Sequence, residues 1–452
     1  MRPLHSVGSV RGIRGRLKRL IARIQQLEPR VLEDTVFWGW LALLAFGVLT
    51  FGAVEPWSLA MFQIGACVVF LWWVVVGMRS GKLRVAFPGI FVPGLAFFGL
   101  IAFQIFANVT AYRFASESTL SVYFTYGIGI FLGAQLLNSE RRFQSFAIAA
   151  SGFGFVIACL AILQAVTSPG EIYWTVVPTF GDGVFGPYVN HSHYAGLMEL
   201  LIPFPFVLGQ SRNLPQGFRH IAFIAGTVML GSVFMSGSRG GIVAVVVELC
   251  LMYVFIFRRS EERNGHRAFR WMNLWAALGA LALVILLGGQ EMFMRISTLK
   301  DPYGQTVGAT RIAIAKDCLV MFGRHPLFGW GAGTFQDTYP AFRSFSTNLV
   351  VNAAHNDYLQ LLVEFGLAGF AICVLFLACA YHRLPKLLAN WKDSWPHAAS
   401  LAAALGAAGI LVHSLADFNL QVPGNAAIFY VMCMVSSLSP PEPDVVLAHD
   451  RL

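Results

Sequence analysis

Runs of mostly apolar residues about 20 long, each closed by a short polar break, recur from one end of this chain to the other, and a run of that length crosses a hydrocarbon core about 30 Å thick. The runs are continuous and do not alternate with period two, so they read as helices and not as barrel strands. Spans are expected at Thr35 to Val54, Ser58 to Gly77, Pro88 to Ala107, Thr119 to Leu137, Phe143 to Val166, His193 to Gly209, His220 to Ser236, Gly240 to Phe257, Trp271 to Gly289, Asp357 to Ala380, His397 to Ala416 and Asn425 to Leu438. Of the 452 residues 56% are hydrophobic and 12% charged, against roughly 25% charged in a soluble domain. The expected fold class is an all-α integral membrane protein of about twelve transmembrane helices with a large, partly helical outer loop.

A net charge of +9 on a soluble protein would suggest a nucleic-acid partner. Orientation explains it here. With the N-terminus inside, 24 of the 32 Lys and Arg residues lie on cytoplasmic segments, as the positive-inside rule requires. The others, Arg113, Arg239, Arg295, Lys300, Arg311, Lys316, Arg324 and Arg343, fall outside and are not explained by topology. Residues 1–34 form a basic arm with Leu17, Leu20, Ile21 and Ile24 between the cations, as expected of an amphipathic helix on an anionic leaflet. The bundle is expected over 35–438, including an outer loop at 290–356, followed by a cytoplasmic tail at 439–452. Six of the seven cysteines lie in expected spans and Cys318 in the outer loop, so neither a disulfide framework nor a cysteine metal cluster is indicated.

Long outer loops on a rigid scaffold are where binding groups usually sit. Within 290–356, Gly308 to Phe322 puts Ile312, Ala315, Leu319 and Phe322 at helical spacing, with Arg311 and Lys316 off that stripe. A helix lying over the bundle is expected, then a turn at Arg324 to Gly333.

The strongest local signal is Ala354-His355-Asn356-Asp357-Tyr358-Leu359-Gln360, entering a span whose Asp357, Gln360 and Glu364 share one face. An ionisable Glu364 at membrane depth needs a protein interior or a watery cavity, so this face either lines a cleft open to the outside or is the satisfied polar stripe of a capped helix. His355 stands just before the helix start, where the macrodipole disfavours the imidazolium and backbone N–H groups face an anion; a neutral imidazole can serve as a general base. Gly237-Ser238-Arg239-Gly240-Gly241 offers a guanidinium for phosphate between two spans, or a tight turn whose arginine reaches lipid headgroups. Asn190 and His193, at the outer end of one span, and His413 and Asp417, spaced i, i+4 at the end of another, are candidates to line the same cleft. A His/Asp metal site lacks a readable third ligand, so no metal and no cofactor is expected.

In this order, Ser238-Arg239-Gly240-Gly241, Arg311 with Pro326-Leu327-Phe328-Gly329-Trp330-Gly331-Ala332-Gly333, and His355-Asn356-Asp357-Tyr358-Leu359-Gln360 with Glu364-Phe365-Gly366-Leu367-Ala368-Gly369 resemble the bacterial O-antigen ligase and polymerase family. The resemblance covers roughly Asn190 to Asp417. It implies an inverting, metal-independent glycosyltransferase of the bacterial inner membrane, acting at the periplasmic face on an undecaprenyl-diphosphate-linked glycan, with lipid A core or another glycan as acceptor. It makes His355, Arg239 and Arg311 the catalytic residues, Arg295 and Arg324 being neighbours of the last, and Asn190, His193, Asn356, Asp357, Glu364, His413 and Asp417 the binding residues. Ligation, repeat-unit polymerisation and transfer to a protein use the same groups. Readings of other classes are a lipid-glycan transporter, for which Glu199 and Glu248 are the mid-span candidates, and a scaffold that only binds the lipid carrier.

Overall fold

The computed structural model describes residues 31–81, 85–179, 183–254, 307–347 and 350–438. Among them every named element is helical, apart from two isolated β-bridges. Seven helical stretches are long and apolar enough to cross a membrane: α1 (Val31–Leu49), α2 (Pro56–Ser80), α4 (Arg113–Leu136), α5 (Glu140–Thr167), α8 (Gln216–Ser236), the run Asp357–Asp393 that contains α11 (Asp357–Tyr381) and α12 (Leu384–Asn390), and α13 (Trp395–His413). Helices also occupy the expected positions at α3 (Phe91–Phe106) and α14 (Pro423–Ser437), both shorter, and at α9 (Arg239–Met252), beyond which the described residues end at 254. The expected span at His193 to Gly209 is broken into α6 (His191–Leu201) and α7 (Pro203–Leu208), because Pro203 and Pro205 cannot donate to the helical ladder. Trp271 to Gly289, most of the basic arm (1–30), the first part of the outer loop (290–306, with Arg295 and Lys300) and the tail (439–452) lie outside the described residues. The arm's last residues, 31–34, already belong to α1, where Asp34 pairs with Arg142 at 2.7 Å.

One helix stands at the centre. In α13, 78% of the apolar window is buried, against 17–44% in the other six crossing stretches. Its sequence explains this, since Ala398, Ala399, Ala402, Ala403, Ala404, Gly406, Ala407 and Gly409 let neighbouring backbones come close. A methyl group at Gly406 would lie 2.6 Å from the Leu200 carbonyl oxygen of α6. The middle of this central helix thus packs tightly against α6, and the segment 414–422 follows at its C-terminal end.

The outer loop contains the expected helix, α10 (Val307–Arg324), but its buried face differs from the expected stripe. Ile314, Cys318 and Met321 are buried, whereas Ile312 and Leu319 are 60% and 56% exposed. Asp317 is the reason. It sits on the buried face, accepting bonds from the Tyr339 hydroxyl at 2.8 Å and the Ser344 N–H at 3.1 Å, so a polar residue that looks solvent-facing marks the inner side. Burial, and then the charge of Asp317, push the Cys318 thiol up to about 12, which leaves it a packing group and not a nucleophile.

After α10 the turn at 325–334 is not a surface feature, because it joins α11 at a break. At Gly366 the helix takes φ 62° and ψ −162°. Four backbone bonds cross between turn and helix: Trp330 N–H to Val363 at 2.8 Å, Gly331 N–H to Glu364 at 3.0 Å, Leu367 N–H to Pro326 at 2.8 Å and Ala368 N–H to Leu327 at 3.0 Å. Gln104 of α3 completes the joint, donating to the carbonyls of Phe328 (2.7 Å) and Glu364 (2.9 Å) and accepting from the Ala332 N–H (3.1 Å). A side chain at Gly329 would overlap the Glu364 carbonyl, and one at Gly366 the Leu327 carbonyl. Gly366→Ala is expected to lower the unfolding temperature in detergent, costing at least about 1–3 kcal/mol from backbone strain alone. Gly323→Ala, where an added methyl meets nothing within 4 Å, should leave it unchanged or slightly higher. Tryptophan fluorescence during thermal unfolding compares the two, and equal midpoints would count against the joint.

Candidate active site

Three helix starts meet at the C-terminal end of α13, each capped by its own sequence. Asn356 caps α11, its Oδ1 accepting from the N–H groups of Tyr358 and Leu359 at 3.0 Å, while its Nδ2 donates to the Leu415 carbonyl at 2.9 Å. Asn190 caps α6 by accepting from the Ser192 N–H at 2.8 Å. Ser238 caps α9, accepting from the Gly241 N–H at 3.1 Å and reaching the Ser192 hydroxyl at 3.1 Å. Helix starts concentrate unpaired N–H groups and positive dipole ends, so this end of the bundle favours an anion before any cation is counted. Asn190 and Asn356, expected to bind substrate, act in the structure as caps.

His355 precedes Asn356 and has φ 51°, a left-handed conformation uncommon in a residue with a side chain. Its ring meets Phe418 edge-on at 4.9 Å, and the His193 ring approaches the same phenyl group at 4.8 Å. Nδ1 of His355 stands 3.8 Å from Oδ1 of Asp417, near enough for charge attraction and too long for a hydrogen bond. The His355 side chain is 30% exposed while that of Asp417 is 3% exposed. Arg311 reaches down from α10 and donates to the Ala416 carbonyl at 2.7 Å. Arg324 lies thirteen residues further along the same helix, about 20 Å away at 1.5 Å per residue, so Arg311 is the α10 arginine that the fold brings to His355 and Asp417.

Residues 224–374 match the family described as O-antigen ligase. No curated protein matches the chain. The matched segment runs from α8 into α11 and carries Arg239, Arg311, His355, Asn356, Asp357 and Glu364, while Asn190, His193, His413 and Asp417 lie beyond it in the chain. Seven helices long and apolar enough to cross a bilayer among the described residues make the chain a multi-pass membrane protein.

Asp357, Glu364 and His413 are buried and bonded within the protein. Asp357 accepts from the Ser414 hydroxyl at 2.8 Å, the Leu420 N–H at 3.2 Å and Gln421 at 3.3 Å, tying the start of α11 to the loop after α13. Glu364 accepts from Gln360 at 3.1 Å and from the N–H groups of Gly333 at 3.0 Å and Phe335 at 3.4 Å. It holds the 325–334 turn in place, which is the satisfied-stripe alternative and not the lining of an open cleft. His413 turns away from Asp417 and bonds Glu199 Oε1 at 2.8 Å, both side chains being fully buried. Arg239 is exposed at the first position of α9. Among the described residues no group of three or more His, Cys, Asp or Glu could hold a metal ion. Three groups at this end carried no readable signal for it: Phe418 between the two imidazoles, Glu199 as the partner of His413, and Gln104 in the joint beneath Glu364.

Burial opposes the charge of Asp417, but the neighbouring His355, the nearby His193 and His413, and the Phe418 N–H at 2.9 Å hold its carboxyl well below the usual carboxylate range. A carboxyl whose pKa is lowered by folding stabilises the protein above its unfolded value and loses that contribution as pH falls through the folded one. Asp417→Asn should therefore lower the unfolding temperature by a constant amount above about pH 4, the ordinary aspartate value, and the difference should shrink only in more acidic buffer. Thermal unfolding of both proteins across a pH series measures this; a difference that vanishes already near neutrality would contradict the ionised carboxylate.

Proposed function

We propose that this protein is a glycosyltransferase of the O-antigen ligase type, moving an undecaprenyl-diphosphate-linked glycan onto a sugar hydroxyl at the periplasmic face of the bacterial inner membrane. In this reading the chain crosses about twelve times, with both ends cytoplasmic, and the end of the bundle holding His355 faces the periplasm. The observation that carries the proposal is His355, partly exposed beside the buried carboxylate of Asp417 and under Arg311, within a segment matching the ligase family.

The chemistry follows from the groups at hand. An acceptor hydroxyl attacks the anomeric carbon, the new C–O bond forms as the bond to the diphosphate oxygen breaks, and Nε2 of His355 takes the hydroxyl proton. Asp417 faces the other ring nitrogen, fixing the ring's orientation and favouring the imidazolium that forms, as a carboxylate does for a catalytic histidine elsewhere. Arg239, Arg311 and the helix starts stabilise the negative charge that develops on the departing lipid diphosphate. Direct displacement inverts the anomeric centre, and the guanidinium groups supply the neutralising charge without a divalent cation. The acceptor is lipid A core in a ligase and a growing glycan in a polymerase; the site chemistry is common to both.

Transfer from an undecaprenyl-diphosphate-linked donor in reconstituted membranes tests the proposal. His355→Ala should lower turnover by about two orders of magnitude or more, and Arg239→Ala should weaken it while the protein stays folded and inserted. Full activity of the His355 variant would remove the general base. Wild-type protein that moves the lipid-linked glycan across the bilayer without transferring it would instead make the chain a transporter.

A further inference from the structure

The Ser238-Arg239-Gly240-Gly241 start of α9 rests on a side chain that the reaction described above does not use. The imidazole of His413 is fully buried and held on its Nδ1 edge by Glu199 Oε1 at 2.8 Å. Its opposite edge faces α9: a methyl group at Gly240 would stand 2.7 Å from both Cδ2 and Nε2 of that ring. The residue before Gly240 is Arg239. The backbone carbonyl of His413 in turn accepts from the N–H groups of Ala416 (2.9 Å) and Asp417 (3.1 Å), and Asp417 is the carboxylate beside His355.

We infer that His413 is a positioning residue, clamped by Glu199, that sets the distance between the diphosphate-binding Arg239 and the His355–Asp417 pair. This rests on the proposed function, since it gives Arg239 and His355 their roles. One ring carries both halves of the site: its edge fixes where α9 begins, and its backbone fixes the turn on which Asp417 sits. The glycine at 240 follows from the same contact, since any larger residue would push α9 and Arg239 off the ring. Misplacement of a binding group by about 1 Å can cost on the order of a hundredfold in rate, so the contact has functional reach although it touches no substrate.

A double-mutant cycle between positions 240 and 413 tests this. Donor KM, kcat and binding of undecaprenyl diphosphate are measured for wild type, Gly240→Ala, His413→Ala and the double variant, each checked by thermal unfolding. Gly240→Ala should raise donor KM and weaken lipid-diphosphate binding about tenfold or more, with a smaller change in kcat, because Arg239 moves while His355 does not. In the His413→Ala background the added methyl has space, so the double variant should bind better than Gly240→Ala alone. Glu199→Gln, which keeps an acceptor oxygen for the ring, should stay closer to wild type than Glu199→Leu, and this pair serves equally if His413→Ala does not fold. Additive effects at 240 and 413, or equal behaviour of the two Glu199 variants, in an active wild type overturn this inference alone. A wild type that neither transfers nor binds the lipid diphosphate overturns the proposed function and the positioning role with it.

Discussion

A helix that breaks inside a lipid-embedded bundle releases backbone N–H and C=O groups that no water is at hand to satisfy, and each left unpaired costs several kcal/mol. At Gly366 the protein meets that demand with another piece of its own backbone, the 325–334 turn, and with the side chains of Gln104 and Glu364. The placement of Arg311 follows from this joint. The turn fixes the end of α10, α10 carries Arg311, and Arg311 lands on the carbonyl next to Asp417. A buried carboxylate that looked like chemistry is thus a structural tie whose effect is felt at the site.

The site itself is assembled at one level by short-range contacts between elements far apart in sequence. Asp357 staples the start of α11 to the loop after α13, Ser238 and Ser192 join the starts of α9 and α6, and Phe418 spaces the two histidines. Buried acids in this region are occupied by hydroxyls, backbone N–H groups or an imidazole, whereas Arg239 is exposed and His355 partly so. The division has a physical sense. The acids that join these helix starts are desolvated and bonded within the protein, whereas the guanidinium of Arg239 and the imidazole of His355 keep contact with the surface.

Much of this was legible in the sequence, and the reasons differ from residue to residue. Long apolar runs identify membrane helices because lipid imposes length and polarity together, yet Pro203 and Pro205 split one expected span, and α3 and α14 have 16 and 15 residues. The cap at Asn356 and the grouping of His355 with Asp357, Gln360 and Glu364 are local in the chain, so spacing exposes them. The phase of α10 differs from the stripe of Ile312, Ala315, Leu319 and Phe322 because Asp317 is drawn inward by Tyr339 and Ser344, which lie over twenty residues away. Gln104 is a single polar residue in an apolar helix, and Glu199 looked like a transporter's mid-span acid. Only the fold shows that each has a partner elsewhere.

The left-handed backbone at His355 has a consequence for which side chains that position can carry at all. Asn, Asp and His are enriched several-fold among residues with positive φ, while β-branched residues are outliers there. The turn therefore narrows the choice before chemistry does, to glycine and a few short or planar polar side chains. Among these, imidazole is the one whose ordinary pKa lies close to neutrality. Under the proposed function, a general base at this point of the chain is the meeting of two independent filters, one conformational and one chemical, and asparagine here would keep the turn and lose the base.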